Sequence, residues 1–278
     1  MKSIKIIGII ANSSKTNAVE QAERLRDWLS ARGLKVYLET DLKGQVSEKR
    51  EFASSIDMVV VFGGDGTLLV AARIVKEYDV PIVGIKLGGL GFMTVINLNE
   101  IYNVMDIILK GDYTTSRRMM LNASVEGKEC SVLNDIVISR SDFSRMVNLE
   151  TFVDEEFLAT FKADGLIIST PTGSTAYSMS AGGPIVFPEN DSIIINPICP
   201  HTLTNRPIML PPESTIKVRL KDEEEGIKVA TDGQVLNILK SDQEITIKKS
   251  QYFINIVDSP FRGYLEVLRT KLGWGGSS

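Results

Sequence analysis

A glycine-rich segment directly after an apolar run constrains the fold of this chain more than any other feature. Residues 56–62 read Ile-Asp-Met-Val-Val-Val-Phe, and the next five are Gly63, Gly64, Asp65, Gly66 and Thr67. An amphipathic stretch follows at once, so the pattern predicts a strand, a tight turn and a helix. Because glycine lacks a Cβ atom, backbone N–H groups can converge in such a turn, and the helix N-terminus adds positive potential. The turn is therefore suited to holding phosphate.

One acidic side chain lies in the middle of this turn. The carboxylate of Asp65 would repel phosphoryl oxygens unless it lies close to a metal ion or accepts a proton from the group that attacks phosphorus. Either role indicates phosphoryl transfer and makes Asp65 the candidate catalytic residue. A structural alternative is a simple strand-to-helix turn in which Asp65 caps the helix, because short polar residues are favoured at caps.

The first hundred residues alternate between strand and helix patterns. Apolar runs predict strands at residues 4–10, 35–38, 56–62 and 80–85, and helical spacing of apolar residues predicts helices after the first and third of them. Such alternation predicts an α/β domain with a parallel sheet, whose ligands bind beyond the carboxyl ends of the strands. The turn at residues 63–67 lies at such an end.

After residue 120 the pattern changes to short runs rich in Val, Ile, Phe and Thr, separated by turn residues. This part predicts a mostly antiparallel, β-rich domain, in which residues 245–247 and 252–257 form two separate strands. A further helix is expected at residues 101–109. We expect the boundary near residue 100, with an α/β phosphate-binding domain at residues 1–100 and a β-rich domain at residues 101–257.

Composition and charge exclude several classes of protein. With 43% hydrophobic and 24% charged residues the chain has an ordinary globular composition, and its formal net charge of −4 argues against a nucleic-acid partner. No stretch approaches the roughly 20 apolar residues of a membrane span, so we expect a cytoplasmic protein without membrane contact. No GxxxxGK[ST] segment is present, so the sequence gives no support for a P-loop enzyme. A single histidine gives little support for a histidine-based triad or metal cluster.

A second segment rich in hydroxyl groups follows another apolar run. Residues 164–178 read Asp-Gly-Leu-Ile-Ile-Ser-Thr-Pro-Thr-Gly-Ser-Thr-Ala-Tyr-Ser, which again predicts a strand that ends in a turn. Hydroxyl and backbone groups can form hydrogen bonds to sugar oxygens and base edges, while the ring of Tyr177 offers a flat apolar surface. The segment is thus suited to a nucleoside. The alternative is an ordinary Ser/Thr loop with Tyr177 in the core.

Six segments, taken in their order along the chain, resemble the NAD kinases. They are residues 63–67, residues 84–94 (Gly-Ile-Lys-Leu-Gly-Gly-Leu-Gly-Phe-Met-Thr), residues 133–136 (Leu-Asn-Asp-Ile), residues 170–184, residues 201–207 (His-Thr-Leu-Thr-Asn-Arg-Pro) and residues 232–234 (Asp-Gly-Gln). The first is shared with lipid kinases and phosphofructokinases, whereas the segment around Tyr177 is highly specific. Two positions depart from the family, since Lys86 replaces a common asparagine and Gly89 a larger polar residue.

The resemblance implies a fold like that of NAD kinases and diacylglycerol kinases, in which an N-terminal α/β domain supplies the phosphate loop and a β-rich domain binds NAD. It implies that residues 258–278 return to the first domain. It also implies that Asp65 and Gly66 lie at the adenosine ribose. The other residues that it assigns to the dinucleotide are Asn134, Asp135, Lys162, Asp164, Thr175, Ala176, Tyr177, Ser178, Ser180 and Gln234. For Asn134 and Asp135, and for the Asp-Gly pair before Gln234, a simple turn is an alternative.

The implied reaction moves the terminal phosphoryl group of ATP to the 2′-hydroxyl of the adenosine ribose of NAD and yields NADP. The expected partners are NAD, a phosphoryl donor that is ATP or polyphosphate, and Mg²⁺ held mainly through the donor phosphates. A homodimer or homotetramer is also implied. Two rival functions are a lipid kinase with the same loop, for which no basic amphipathic helix is evident, and a non-catalytic NADP(H)-binding sensor, which would have no evident use for Asp65.

Overall fold

The computed structural model describes residues 4–15, 17–40, 49–89, 91–140, 146–202, 204–221, 227–240 and 243–274. Its backbone divides into two units. Unit 1 comprises residues 1–117 and 254–278, and unit 2 comprises residues 118–253. The helix expected at residues 101–109 therefore belongs to unit 1, whereas the sequence pattern assigned it to the second part of the chain.

The first part of unit 1 alternates strands and helices, as the sequence predicts. In chain order its elements are β1 (Ile6–Ala11), α1 (Ala18–Ser30), β2 (Lys35–Glu39), α2 (Arg50–Ser55), β3 (Met58–Gly63), α3 (Asp65–Val75), β4 (Ile82–Lys86), β5 (Ile96–Asn97), a short 3₁₀ helix (Leu98–Glu100) and α4 (Ile101–Lys110).

The strands of unit 1 form a parallel sheet in the order β2-β1-β3-β4. Every residue of β3 is buried, because helices cover both faces of the sheet. Buried residues of α1 and α4 pack with Val60 and Phe62 of β3 on one face. On the other face, the missing Cβ of Gly84 in β4 would meet the side chain of Leu68 in α3. The central strand β3 therefore delivers the glycine-rich turn at its carboxyl end.

Unit 2 is built almost entirely from strands. In chain order the elements that lie wholly or mostly in it are β6 (Thr115–Val125), β7 (Lys128–Val132), β8 (Asp135–Arg140), β9 (Val147–Val153), β10 (Glu156–Ala163), β11 (Gly165–Ser169), a short 3₁₀ helix (Thr172–Thr175), α5 (Tyr177–Ser180), β12 (Ile193–Ile198), β13 (Ile208–Leu210), β14 (Ile216–Leu220), β15 (Ile227–Thr231), β16 (Gln234–Leu239) and β17 (Glu244–Val257).

Two antiparallel arrangements share the core of unit 2. One is a six-stranded sheet in the order β13-β12-β11-β8-β15-β16. In the other, the strands pair in the order β10-β9-β14-β17. Inward residues of both, such as Ile168 and Val218, lie in one apolar cluster. Two-residue turns with positive φ at both positions close three hairpins, namely Glu126-Gly127, Asp154-Glu155 and Asp232-Gly233. The predicted fold class, a parallel α/β part and a β-rich part, is confirmed.

The C-terminal part differs from the sequence expectation in two ways. Residues 245–247 and 252–257, predicted as separate strands, belong to the single 14-residue strand β17. Polar residues between the two apolar runs suggested a break, but Ser250 is buried and the strand continues through them. In addition, the sequence reading missed the last helix, α6 (Tyr264–Leu272), because its buried stripe is short, with only Val267 and Leu268 buried.

An ion pair attaches the segment between β17 and α6 to the rest of unit 1. Arg262 donates through Nη1 to Glu100 Oε2 at 2.8 Å and to the Val95 carbonyl at 2.6 Å, and through Nη2 to Glu100 Oε1. Both side chains are largely buried, with 15% and 18% exposed. The hydrogen bonds from Arg262 lower the pKa of Glu100 to about 2.

Replacing Arg262 by methionine leaves the partly buried carboxylate of Glu100 without its cation. We expect the free energy of unfolding at pH 7 to fall by on the order of 2 kcal/mol. Because the folded-state pKa of Glu100 is depressed, the pair stabilises above about pH 4, and this stabilisation is lost as the pH falls towards 2. Urea unfolding at pH 7 and at pH 2.5 measures both effects.

Arg24→Met is the matched control, because it breaks an exposed ion pair with Glu20 in the same unit and should have no measurable effect. Equal losses in the two variants, or a loss at Arg262 that does not depend on pH, would contradict the assigned role of the pair.

Candidate functional site

The glycine-rich turn connects β3 to α3 with little room for side chains. A Cβ atom on Gly63 would lie 2.2 Å from Oγ1 of Thr67. Gly64 is the residue before α3, and its carbonyl accepts hydrogen bonds from the N–H groups of Thr67 and Leu68 at 2.9 and 3.2 Å. Gly66 is exposed in the first turn of α3. The helix therefore begins at the turn itself, which puts its positive N-terminal end beside the glycines.

Asp65 does not cap α3, because the N-cap residue is Gly64 and Asp65 is the first residue of the helix itself. Instead its carboxylate holds the segment that contains Phe92, Met93 and Thr94. Oδ1 accepts hydrogen bonds from the N–H groups of Met93 and Thr94 and from the Thr94 hydroxyl at 3.0 to 3.1 Å. Oδ2 accepts one from the N–H group of Phe92 at 2.8 Å. Oδ2 has two lone pairs and accepts one hydrogen bond from the described residues, so it retains capacity for one further donor.

Gly91 makes this arrangement possible. A Cβ atom at that position would lie 2.3 Å from Oδ1 of Asp65 and 2.4 Å from Oγ1 of Thr94. Any other residue would displace the carboxylate or the segment that it holds. The sequence pattern identified both Asp65 and the glycines of residues 84–94, but it did not indicate that they contact each other.

A second carboxylate organises the candidate nucleoside-binding part in unit 2. Asp232 accepts hydrogen bonds from three consecutive N–H groups, those of Leu133, Asn134 and Asp135, at 3.1, 2.8 and 3.3 Å. Asp232 also forms the first position of a two-residue hairpin turn, with a φ of 46°. The Asp-Gly pair is therefore both a hairpin turn and a support for the segment around Asn134, and Gln234 follows it at the start of β16.

Asp135 is a buried acid beside this second carboxylate. Its side chain is 5% exposed, and it accepts a hydrogen bond from the backbone N–H of Tyr177. Burial, together with repulsion from Asp232, raises the pKa of Asp135 from 3.8 to about 7. The charge of Asp135 therefore changes near neutral pH, next to the segment that holds Asn134 and Tyr177.

The hydroxyl-rich segment packs directly against Asn134. The N–H of Thr170 donates to the carbonyl of Asn134 at 2.9 Å, and its hydroxyl donates to the carbonyl of Leu133 at 2.6 Å. A Cβ atom on Gly173 would lie 2.2 Å from the Asn134 carbonyl oxygen. Glycine at this position thus allows the 3₁₀ helix at Thr172–Thr175 to approach the turn before β8.

Two buried polar atoms in this region have no hydrogen-bond partner within the described part of the chain. They are Oδ1 of Asn134 and Oγ1 of Thr172. A buried unpaired acceptor or hydroxyl is costly unless a ligand or water satisfies it. Asn134 was predicted from the sequence, whereas Thr172 was not. Its position inside the highly specific segment around Tyr177 was the signal that could have identified it.

The remaining residues of this segment differ in how far they are exposed to solvent. The ring of Tyr177 is not in the core, since the residue is 46% exposed. Thr175 and Ser178 are buried, and the hydroxyl and carbonyl of Ser178 accept hydrogen bonds from Nδ2 of Asn196. Ala176 is half-buried and Ser180 is exposed.

Lys162 and Asp164 lie at the other end of β11 from the Asn134 cluster. Both are exposed and precede Gly165, whose partner on β8 is Ser139, whereas the far end of β11 pairs Ser169 with Asp135. Four residue steps along a strand correspond to about 13 Å. Within unit 2 the structure thus brings Asn134, Asp135, the segment around Tyr177 and the Asp232 turn together, but not Lys162 and Asp164.

Two family models match the chain and together cover most of it. The ATP-NAD kinase N-terminal domain matches residues 7–113, and the ATP-NAD kinase C-terminal domain matches residues 133–259. The chain belongs to the NAD kinase family. NAD kinases are phosphotransferases that act on an alcohol group, and the reaction of this family, in which a phosphoryl group passes from ATP to NAD, is the activity of this chain.

Related proteins and solved structures agree with this assignment. The chain is 46% identical to an NAD kinase of Citrifermentans bemidjiense and 45% identical to one of Geobacter sulfurreducens, and each match covers 98% of this chain and 99% of the relative. It also resembles yeast NADH kinase complexed with NADH, with a TM-score of 0.91, 25% identity and coverage of 100% of this chain and 90% of that one. An NAD kinase from Archaeoglobus fulgidus in complex with ATP matches with a TM-score of 0.77, 25% identity and coverage of 98% and 100%.

Asp135→Asn should change the pH dependence of stability of this NAD kinase. The raised pKa means that the folded state holds the proton of Asp135 more tightly than the unfolded state, so its contribution is favourable below about pH 4 and is lost as the pH rises through about 7. Asparagine cannot ionise. Relative to wild type, the variant should therefore become more stable as the pH rises from 4.5 to 7.5, by roughly 3 kcal/mol. Urea unfolding at the two pH values measures the change.

Glu189→Gln, at an exposed position in the same unit, is the control and should show no such trend. If Asp135→Asn followed the wild-type profile across this range, the neutral-pH titration of Asp135 would be disproved.

Proposed function

We propose that this NAD kinase transfers the terminal phosphoryl group of ATP to the 2′-hydroxyl of the adenosine ribose of NAD, with Asp65 as the residue that orients and deprotonates that hydroxyl. The observation that supports this proposal most is the geometry of Asp65. Its carboxylate lies at the start of α3 beside the glycine-rich turn, is fixed by four hydrogen bonds, and retains acceptor capacity on Oδ2. A hydroxyl group is the donor that this position suits.

The proposed step transfers one proton and one phosphoryl group. The 2′-oxygen forms a bond to the γ-phosphorus while the bond from that phosphorus to the bridging oxygen breaks, and ADP leaves with the electrons of that bond. The hydroxyl proton passes to Oδ2 of Asp65. Because phosphoryl transition states are loose, alignment and charge stabilisation supply most of the acceleration, and a general base adds roughly 10² to 10⁴. The glycine-rich turn at residues 63–67 holds phosphate oxygens through backbone N–H groups.

The residues of unit 2 bind the dinucleotide in this proposal. Unpaired Oδ1 of Asn134 and Oγ1 of Thr172 are available to hydroxyl and amino groups of NAD, and the exposed ring of Tyr177 offers a surface for the adenine. Thr175, Ala176, Ser178 and Ser180 belong to the same segment and line the adenine, partly through backbone groups. Asp135, Gln234, Lys162 and Asp164 complete the set, with Lys162 offsetting phosphate charge.

Mg²⁺ is expected to bind to the phosphates of the donor rather than to a cluster of protein side chains. Within the described ranges no three acidic, His or Cys side chains lie together in a way that could hold a metal ion. We therefore propose that the donor binds as its magnesium complex, in which the metal neutralises phosphate charge. The residues of this chain bind the complex and position its terminal phosphorus. ATP is the donor supported by the family, and polyphosphate is an additional candidate.

The two rival functions have less support. A lipid kinase of the same superfamily does not account for the family models that match both halves of the chain. A non-catalytic NADP(H) sensor leaves the open acceptor capacity of Asp65 without a use.

Among the described helices, none is both long and apolar enough to span a bilayer. We propose a cytoplasmic homodimer or homotetramer, in keeping with the family resemblance.

Incubation of the protein with NAD, ATP and Mg²⁺, followed by ³¹P NMR of the product, tests the reaction itself. A new phosphomonoester on the adenosine ribose at the 2′ position is the expected result. If NAD gains no phosphate in this assay, the proposed reaction is contradicted, and the two rival functions are the remaining candidates.

Asp65→Asn should lower the turnover number by about 10² to 10⁴ while NAD still binds, because asparagine cannot accept the hydroxyl proton. A coupled assay for NADP and a calorimetric titration with NAD measure the two quantities. An unchanged turnover number would remove Asp65 from the catalytic role.

Thr94→Val is the matched control for the structural part of this effect. It removes one of the four hydrogen bonds to Asp65 but keeps the carboxylate. It should lower the free energy of unfolding by about 1 kcal/mol and the turnover number by less than about tenfold. If it reduced turnover as strongly as Asp65→Asn, support of residues 92–94 would explain the whole loss.

A further inference from the structure

Two lysines of unit 1 flank the glycine-rich turn, and the proposed mechanism does not use them. In the sheet, β3 lies between β1 and β4, and all three strands run in the same direction. The segment after β1 and the last residue of β4 therefore lie on either side of the turn that follows β3. Lys15 is in the former and Lys86 is the latter.

Lys15 lies directly beside the turn. Its Nζ atom is 3.5 Å from the position that a Cβ atom would occupy on Gly64. Hydrogen bonds of Asn12 fix the base of this segment, because its N–H donates to the carbonyl of Phe62 at 3.2 Å and its Nδ2 donates to Oγ1 of Thr67 at 3.4 Å. An open depression of about 390 Å³, lined by Ser13, Ser14 and Lys15 among others, continues from this point.

Lys86 approaches the turn from the opposite side. Its register partner on β3 is Gly63, whose carbonyl accepts a hydrogen bond from the N–H of Leu87 at 3.1 Å. Side chains alternate along a strand, so Lys86 is on the same face of the sheet as Gly84. That face carries α3, since a Cβ atom on Gly84 would lie 3.1 Å from Leu68. Lys86 is thus on the side of the sheet from which the turn enters α3.

The charges of both lysines are unbalanced in the described part of the chain. Neither ammonium group has a carboxylate within ion-pair distance there. The nearby acids are engaged elsewhere, because Asp65 binds residues 92–94 and Glu20, at the depression, pairs with Arg24 at 2.6 Å. Two uncompensated cations beside converging backbone N–H groups create a local field that attracts polyanions.

We propose that Lys15 and Lys86 bind the phosphate chain of the donor from opposite sides of the turn at Gly63 and Gly64. This inference rests on the proposed function and extends it, because it makes the phosphate chain, as a di- or triphosphate anion, a main determinant of donor recognition. Each lysine acts as a flexible point charge on phosphate oxygens. Lys86, one of the two departures from the family pattern, gives this chain a phosphate contact at the end of β4.

Direct binding of inorganic tripolyphosphate and of ATP, measured by titration calorimetry without NAD, tests the proposal. Lys15→Ala and Lys86→Ala should each raise the dissociation constant for both ligands by roughly 10- to 100-fold, the range for a hydrogen bond to a charged group. Lys15→Arg and Lys86→Arg should retain most of the affinity. The dependence of affinity on salt concentration should become shallower in the alanine variants. In the kinase assay, KM for ATP should rise while KM for NAD stays within about twofold.

Lys110→Ala is the matched control, since Lys110 is an exposed residue at the C-terminal end of α4 and the substitution removes the same charge. It should leave both dissociation constants unchanged. The proposal is overturned if the two alanine variants bind tripolyphosphate and ATP like Lys110→Ala, or if they lose affinity for NAD in parallel with ATP.

The calorimetric arm separates this proposal from the proposed function. A wild-type protein that binds tripolyphosphate through the lysines but makes no NADP would refute the kinase reaction and leave the phosphate site in place. If the wild-type protein makes NADP but the lysine variants have an unchanged KM for ATP, the kinase reaction stands and the phosphate site is refuted.

Discussion

The hydrogen bonds between the carboxylate of Asp65 and residues 92–94 are the interaction on which the candidate active site depends. They join two segments that follow adjacent strands, the turn after β3 and the segment after β4. The same carboxylate is the proposed acceptor for the substrate hydroxyl. Three backbone N–H groups and the buried Thr94 hydroxyl set its orientation, so the remaining acceptor position on Oδ2 is fixed before a substrate arrives. This is the preorganisation that catalysis by alignment requires.

Unit 2 uses the same device for a different purpose. Asp232 accepts hydrogen bonds from three consecutive N–H groups and so fixes the segment that carries Asn134 and Asp135. In both units a glycine without a Cβ atom allows the close approach, Gly91 beside Asp65 and Gly173 beside the Asn134 carbonyl. Each carboxylate therefore supports a backbone segment. The acceptors that remain available to a ligand are Oδ2 of Asp65 in unit 1 and Oδ1 of Asn134 in unit 2.

Much of the fold could be predicted from the sequence because its signals are local. The buried run of β3 and the apolar stripe of α3 follow from the spacing of apolar residues, and the turn between them follows from its glycines. The hairpin at Asp232 was one of two alternatives that the Asp-Gly pair left open. The single strand β17 and the helix α6 could not, since polar residues interrupt the former and only two residues of the latter are buried.

The site was predictable at the level of residues but not of contacts. Asp65, Asn134 and Tyr177 stand in recognisable motifs, whereas the contacts of Asp65 with residues 92–94 and of Asp232 with residues 133–135 depend on tertiary structure. The unpaired hydroxyl of Thr172 is visible only once its neighbours are placed. The burial that raises the pKa of Asp135 likewise arises from packing across the sheet.

A crystal structure with NAD bound tests the central claim most directly, through the distance from Oδ2 of Asp65 to the 2′-oxygen of the adenosine ribose. We predict a hydrogen bond of about 2.6 to 3.2 Å, with the bonds from residues 92–94 to the carboxylate retained. An adenosine ribose far from this oxygen, or a carboxylate turned away from the sugar, would contradict the account.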